Sequence, residues 1–253
     1  MEGLQFERLA ALYSRVRPTY PARVYRVLLD ALGAERVAVA VDLGCGSGQS
    51  VAGLLPIADR VIGVEPADGL RAEAEAAYPQ ATFVPGSGEA IPLPAASVDV
   101  VTVGNAFYWM DMPAALREVD RVLVRPGGFM TYKYDFPRIH DAAADRVLRR
   151  HLAQHWDAHR SRRLTDYDPT PDLMRASGYF ASVATPVVPY TLEYEAHDFA
   201  SFMSSTSYVS SFLDTVADRR AYLDRFASQL RDAAEGERLA VTFALFLNVG
   251  VKR

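Results

Sequence analysis

The segment that most constrains the fold is a glycine cluster placed directly after an apolar run. Residues 37–43 are almost entirely apolar, and Gly44, Gly46 and Gly48 follow them. A short apolar run that ends at turn residues predicts a buried strand, and glycine lets the chain turn tightly and lets a ligand approach the backbone. A helical pattern follows, and a helix N-terminus offers unpaired N–H groups. The segment therefore predicts a ligand site at the carboxyl edge of a parallel sheet.

Short apolar runs alternate with helical patterns through the first half of the chain. The runs lie at 60–65, 81–85, 97–103 and 129–134, and the helical patterns at 68–78 and 113–124. This alternation predicts βαβ units, whose strands are covered on both faces and are therefore apolar throughout. We predict an α/β, Rossmann-like fold with a seven-stranded, mostly parallel sheet, an antiparallel last strand and a helical cap.

The length of 253 residues fits a single large α/β domain. Within the predicted domain 1–253, the ligand-binding core spans 33–135. The segments 1–32 and 136–235 form the predicted helical cap and substrate region, and 236–253 holds the last strand.

Charge and cysteine content exclude several classes of function. A net charge of −4 lacks the positive field on which many nucleic-acid binders depend, and one cysteine cannot form an internal disulfide framework. The longest apolar run, 239–251, is shorter than the roughly 20 residues that span a bilayer. We expect a cytoplasmic protein with a small-molecule substrate and no nucleic-acid or membrane partner. The sequence leaves monomer and dimer equally open.

Two acidic residues indicate which ligand the glycine turn accepts. Glu65 ends the second predicted strand, where a carboxylate suits the two hydroxyls of a ribose. The dinucleotide fingerprint Gly-x-Gly-x-x-Gly would need glycine at Gln49, and Asp42 would serve a pyrophosphate poorly. Both points favour a ligand that carries an α-amino group.

The ordered motifs resemble class I S-adenosylmethionine-dependent methyltransferases, and within them the type 11, trans-aconitate-methyltransferase-like group of small-molecule enzymes. The resemblance covers about the first half of the chain. The motifs that carry it are Asp42–Gly48, Val61–Pro66, Gly86–Pro94, Ser97–Val103, Leu116–Gly128 and, at the N-terminus, Tyr13–Pro21.

The resemblance implies S-adenosylmethionine as cofactor and S-adenosylhomocysteine as product. It places the methionine part along 44–46 with Asp42 supporting its amine, the ribose on Glu65 and the adenine on Pro66. An N-terminal lid at Arg17 and Tyr20 is either a cofactor-carboxylate site or a surface cap. The full set of implied cofactor-binding residues is Arg17, Tyr20, Asp42, Gly44, Cys45, Gly46, Glu65, Pro66, Ser87, Gly88, Glu89 and Asn105.

Aromatic residues after the fourth and fifth predicted strands are candidates for contact with the methyl acceptor. Tyr108, Trp109 and Tyr134 are the predicted substrate-binding residues. His140 follows the fifth strand and is the candidate general base, because an ordinary histidine pKa suits that role.

Three histidines repeat at helical spacing in the predicted cap. His151, His155 and His159 would share one face of a long basic helix at 141–163. The pattern allows a solvated basic face, a patch for an anionic ligand or a metal site, of which the solvated face is favoured and no metal is predicted.

The hypothesis that best fits the whole pattern is methyl transfer by in-line displacement to an O-, N- or C-nucleophile on a small, aromatic or acidic acceptor. The alternatives are a methyltransferase-like binding protein without catalysis and, with less support, a nicotinamide-dependent oxidoreductase.

Overall fold

The computed structural model describes residues 16–161 and 168–253. Within these ranges nine strands form one sheet, in which β3-β2-β1-β4-β5-β9-β6 are successive neighbours and β7 and β8 also pair with β9. The strands are β1 (Val37–Leu43), β2 (Ala58–Val64), β3 (Thr82–Val84), β4 (Val98–Gly104), β5 (Leu123–Tyr134), β6 (Arg138–Ile139), β7 (Phe180–Ala184), β8 (Val187–Tyr194) and β9 (Leu239–Lys252).

The helices cover the two faces and one end of this sheet. They are α1 (Ala22–Leu32), α2 (Val51–Leu54), α3 (Asp68–Ala77), α4 (Met112–Val122), α5 (Ala142–His151), α6 (Thr170–Ser177), α7 (Ala196–Ser204), α8 (Ser207–Leu213) and α9 (Arg219–Ala233). Among the described helices, none combines the length and the apolarity needed to cross a bilayer.

The predicted fold class is confirmed. Strands β1 to β5 pair in parallel, and β9 runs antiparallel to β5. The strand count differs from the predicted seven, because three further strands, β6, β7 and β8, each pair antiparallel with β9. The segment predicted as a helical cap therefore contributes strands as well as helices.

The parallel strands are buried on both faces, as their composition predicts. One apolar cluster packs between the sheet and α4 around Phe129, and another packs under α1 around Tyr25 and Tyr132. A third cluster, which we call the cap cluster, joins α5, α7, α8 and α9 around the fully buried Trp156. The cap thus has a core of its own, continuous with β9.

The predicted long helix at 141–163 is interrupted. α5 ends at His151, a π-helical turn spans Leu152–Trp156, and a 3-10 turn spans Asp157–His159. The π-turn widens the helical repeat, but the three histidines stay close together: the ring centroids of His151 and His155 lie 5.5 Å apart, and His155 and His159 both contact Phe212. Arg162 and Arg163 lie outside the described residues.

Candidate functional site

A crevice of about 1170 Å³ runs along the carboxyl edge of the parallel strands and under the cap. This is the edge at which open parallel sheets bind ligands. The predicted site residues that line it are Arg17, Gly44, Gly46, Glu65, Pro66, Ser87, Gly88, Glu89, Asn105, Tyr108, Trp109 and Tyr134. Tyr20 and Cys45 line a small recess that shares Gly44 and Gly46 with the crevice.

The glycine turn has the backbone conformation that its composition predicts. Gly44, Gly46 and Gly48 have φ values of +67°, +55° and +91°, which side-chain-bearing residues rarely adopt. A Cβ atom at Gly44 would lie 2.9 Å from the Cβ atom of Ala106. Glycine is therefore required here both for the turn and for its packing against the end of β4.

Glu65 follows β2 directly and faces the crevice from beside the glycine turn. Its Oε2 accepts a hydrogen bond from the backbone N–H of Gly46 (3.0 Å), and its Oε1 accepts one from Ala67 (3.0 Å). Burial raises the pKa of Glu65, and the two backbone N–H groups partly offset that effect. Each carboxylate oxygen keeps a further acceptor position, so the side chain is held rigidly while still able to receive two hydroxyl groups.

Asp42 does not line the crevice. Its carboxyl group is fully buried beneath the turn, where Oδ1 accepts a hydrogen bond from the Thr102 hydroxyl (3.1 Å). Oδ2 has no hydrogen-bond partner among the described residues. Burial raises the pKa of Asp42 to about 8, although the hydroxyls of Thr102 and Ser50 oppose the shift. Asp42 could therefore support a ligand amine only through the charge of its carboxylate, because that carboxylate is not exposed in the crevice.

The N-terminal lid is joined to both the core and the cap. Tyr20 accepts a hydrogen bond from the Asn105 side chain (2.7 Å), and Arg17 donates to the Ser205 hydroxyl and carbonyl, both at 2.9 Å. Asn105 itself has φ +52°, a left-handed conformation that a non-glycine residue seldom adopts and that clusters at functional sites. Tyr13, at the start of the N-terminal motif, lies outside the described residues.

Residues 87–89 form the wall of the crevice beyond Pro66. A Cβ atom at Gly88 would lie 2.4 Å from the Met110 sulfur, so a larger residue here would require the Met110 side chain to move. Glu89 accepts a hydrogen bond from the backbone N–H of Asp111 (2.7 Å), which connects this wall to the start of α4.

The thiol of Cys45 has no special chemistry in this environment. The residue is 5% exposed, and burial raises the pKa of its thiol well above the ordinary value. Because it lies in the glycine turn, Cys45 can contact a ligand through its backbone rather than through its thiol.

The predicted acceptor residues separate into two groups. Tyr108, Trp109 and Tyr134 line the crevice. His140 is not among the lining residues, so its predicted position at the ligand edge is wrong. β6 pairs with β9 after the chain leaves β5, and His140 Nε2 there hydrogen-bonds with the Thr242 hydroxyl (2.7 Å) on the exposed surface.

The sequence interpretation missed a polar group at the far end of the crevice. Lys133, Asp168 and Asn248 all line it, and Asp168 Oδ2 accepts a hydrogen bond from Asn248 Nδ2 (3.1 Å). The available signal was Lys133 itself, a charged residue near the carboxyl end of an otherwise apolar predicted strand. Asp168 and Asn248 reach the crevice only through tertiary packing.

The three histidines of the cap pack on aromatic rings. His151 is buried and hydrogen-bonds with the Tyr222 hydroxyl (2.6 Å) and with Gln229 Oε1 (2.8 Å). His155 and His159 contact the ring of Phe212. The favoured solvated face is therefore wrong for His151, and within the described ranges no cluster of metal-ligating side chains is present.

Residues 41–132 match the family model described as a methyltransferase domain. The chain is similar to an uncharacterized methyltransferase of Mycobacterium tuberculosis (40% identity over 126 residues, 50% of each chain). It is also similar to the trans-aconitate 2-methyltransferase of Azoarcus sp. (35% over 131 residues, 50% of each chain). The chain spans about half the length of these curated relatives.

The similarity of the fold extends further along the chain. A protein of Anaeromyxobacter dehalogenans assigned as a type II methyltransferase superposes with a TM-score of 0.75 at 27% identity, over 93% of this chain and 97% of that one. The resemblance inferred from the motifs is confirmed.

Proposed function

We propose that the protein transfers a methyl group from S-adenosylmethionine to a small-molecule acceptor. The observation that carries the proposal is the Glu65 carboxylate, which is fixed by the Gly46 and Ala67 N–H groups at the same edge as the glycine turn. A rigid carboxylate next to a left-handed glycine turn suits a ribose attached to an amino-acid chain.

The described residues fit this cofactor. Glu65 would accept hydrogen bonds from the ribose hydroxyls, Pro66 would pack on the adenine, and the backbone at 44–46 would lie along the methionine part. Asp42 has a buried oxygen without a partner, and a nearby cationic amine would favour its ionised form. When bound, S-adenosylmethionine supplies a methyl group activated by the sulfonium.

The chain contributes positioning and exclusion of water. Tyr108, Trp109 and Tyr134 surround the space next to Asn105, and Arg17 ties the lid to the cap over the Tyr134 ring. Holding an acceptor at contact distance in a closed space provides much of the rate enhancement available to a displacement of this kind. The acidic overall charge and the concave shape of the crevice support a small molecule rather than a nucleic acid as acceptor.

Calorimetry with S-adenosylhomocysteine tests cofactor binding directly. We expect the wild-type protein to bind it and to ignore NAD. Glu65→Gln should weaken binding by about tenfold or more, because a charge-assisted hydrogen bond contributes about 1.5–3 kcal/mol. The matched control is Glu75→Gln, an exposed carboxylate of α3.

Two outcomes would contradict the proposal. A folded protein that does not bind S-adenosylhomocysteine, or that binds NAD in its place, has a different ligand. Cofactor binding without release of labelled methyl to any small molecule in a broad screen would instead favour the non-catalytic binding protein.

A further inference from the structure

The crevice contains a row of side chains on three neighbouring strands. Lys133 of β5 pairs with Phe246 of β9, and Phe246 pairs with Val187 of β8. Directly paired residues of adjacent antiparallel strands project from the same face of a sheet. Lys133, Phe246 and Val187, which we call the acceptor row, therefore lie side by side, and all three line the crevice.

The apolar members of this row are unusually exposed. Val187 is 50% exposed and Phe246 is 39% exposed, and they are the large hydrophobic residues that stand out as exposed in the described part of the chain. Since both lie inside a concave crevice, their exposure provides an apolar floor that a ligand can cover.

The third member of the row, Lys133, is a cation whose position is set by a neighbouring carboxylate. Lys133 Nζ lies 3.7 Å from Asp168 Oδ2, an ion-pair distance longer than a hydrogen bond. Asp168 is fixed by hydrogen bonds from the Thr170 backbone N–H (3.0 Å) and the Asn248 amide (3.1 Å). The pKa of Asp168 is lowered despite its burial, because these hydrogen bonds and the charge of Lys133 outweigh the desolvation. The ammonium is thus held in place while its donors point to no described acceptor at hydrogen-bond distance.

The position of Lys133 relates the row to the reacting end of the crevice. Tyr132 pairs with Gly104, and its carbonyl accepts a hydrogen bond from the Asn105 backbone N–H (2.8 Å). Lys133 is therefore level with Asn105, one of the residues that the resemblance implies in cofactor binding.

We propose that the acceptor row binds the methyl acceptor, and that this acceptor is an apolar molecule with an anionic oxygen, a carboxylate or a phenolate, directed to Lys133. The proposal rests on the proposed function. The charged residues that line the whole crevice are the cations Arg17, Lys133 and Arg160 and the carboxylates Glu65, Glu89, Asp135 and Asp168. Lys133 is the cation that belongs to the acceptor row, so it is the one placed beside an acceptor that lies on Phe246 and Val187.

The chemistry is balanced without a base. A lone pair of the anionic oxygen forms the new O–C bond, the S–C bond breaks, and its electron pair returns to sulfur, which becomes the neutral thioether. A carboxylate acceptor needs no proton transfer, in keeping with the position of His140 outside the crevice, whereas a phenol must first lose its proton to water.

The test measures binding of defined probes by ligand-observed NMR, with and without S-adenosylhomocysteine. The probes are 3-phenylpropanoate and 4-ethylphenol, and the neutral controls are 3-phenylpropanamide and 4-ethylanisole.

We expect at least one of the two acidic probes to bind, and we expect Lys133→Met to weaken the binding of that probe by about tenfold or more. Lys133→Arg should restore most of the loss, and Phe246→Ala should weaken acidic and neutral probes alike. Arg220→Met, which removes an exposed cation of α9, is the matched control and should change nothing.

The outcomes that overturn the proposal are separate from those for the cofactor. Equal affinity of acidic and neutral probes, equal binding to wild type and Lys133→Met, or no binding of any probe would reject the acceptor row. Loss of probe binding in Arg160→Met but not in Lys133→Met would assign the anion to a different cation. Because Lys133→Met should still bind S-adenosylhomocysteine, that measurement confirms folding and keeps the two proposals distinguishable.

Discussion

Two buried titratable residues, one in each half of the molecule, show how a binding site differs from a structural core. Asp42 lies beneath the glycine turn with one oxygen that has no partner among the described residues. His151 lies in the cap cluster, where both ring nitrogens are hydrogen-bonded. A buried polar group without a partner is costly, and beneath the glycine turn the charge of Asp42 can act on a ligand in the crevice without a hydrogen bond to it.

The cap arrangement is complete by itself. Gln229 Oε1 can only accept, so His151 donates from Nε2. Burial lowers the pKa of His151, which favours the neutral ring with Nδ1 as acceptor. The Tyr222 hydroxyl then donates to Nδ1 while accepting from the Trp156 indole N–H (3.1 Å). Each donor among His151, Tyr222 and Trp156 has an acceptor, so this group of hydrogen bonds specifies packing rather than binding.

Substitution of the two tryptophans should give the largest difference in stability between the cap cluster and the crevice. Trp156→Ala should destabilise the protein by about 3–5 kcal/mol, because it removes a fully buried ring from the cap cluster. Trp109→Ala, at the crevice, should cost no more than about 1 kcal/mol. Urea unfolding measures both free energies. S-adenosylhomocysteine affinity should persist in the folded fraction of Trp156→Ala, and equal destabilisation by the two substitutions would show that cap and crevice are not distinct.

Asp42 should give the protein a pH dependence of stability with a definite sign. Its pKa is about 8 when folded and near 3.8 when unfolded, so the folded state binds more protons between those values. The free energy of unfolding should therefore fall as pH rises, at most by about 2–3 kcal/mol from pH 5 to pH 7. Asp42→Asn should lack this slope.

Thermal or urea unfolding across that pH range, for both proteins, separates the contribution. Adding S-adenosylhomocysteine should reduce the slope in the wild type, because its cationic amine favours the ionised carboxylate. A wild-type slope identical to that of Asp42→Asn would mean that Asp42 is not the group responsible.

The part of the site that the sequence predicted lies on strands that follow one another in the chain. Gly44 and Glu65 end neighbouring parallel strands, so strand alternation alone brings them to one edge. The acceptor row was not predictable, because it depends on the register of β5, β9 and β8, which are far apart in the chain. His140 was misplaced for the same reason: its pairing with β9 is a tertiary contact that no local pattern shows. Asp42 was identified, but its burial beneath the turn was not foreseen from residue types.

His151 should produce a smaller pH dependence of the opposite sign. Burial lowers its pKa, and the neighbouring His155 and Arg150 add to that effect although the Gln229 hydrogen bond opposes it. The unfolded chain then binds more protons below an ordinary pKa near 6.5, so stability should fall as pH decreases through that value. The loss of stability should be about 1 kcal/mol between pH 6.5 and pH 5.5, and His151→Gln should abolish it.

Unfolding of His197→Gln, which replaces an exposed histidine of α7, provides the matched control and should keep the wild-type slope. If His151→Gln also kept that slope, the acid sensitivity of the cap would have to arise from another group, and the contrast between a completed cluster and an incomplete site would rest on Asp42 alone.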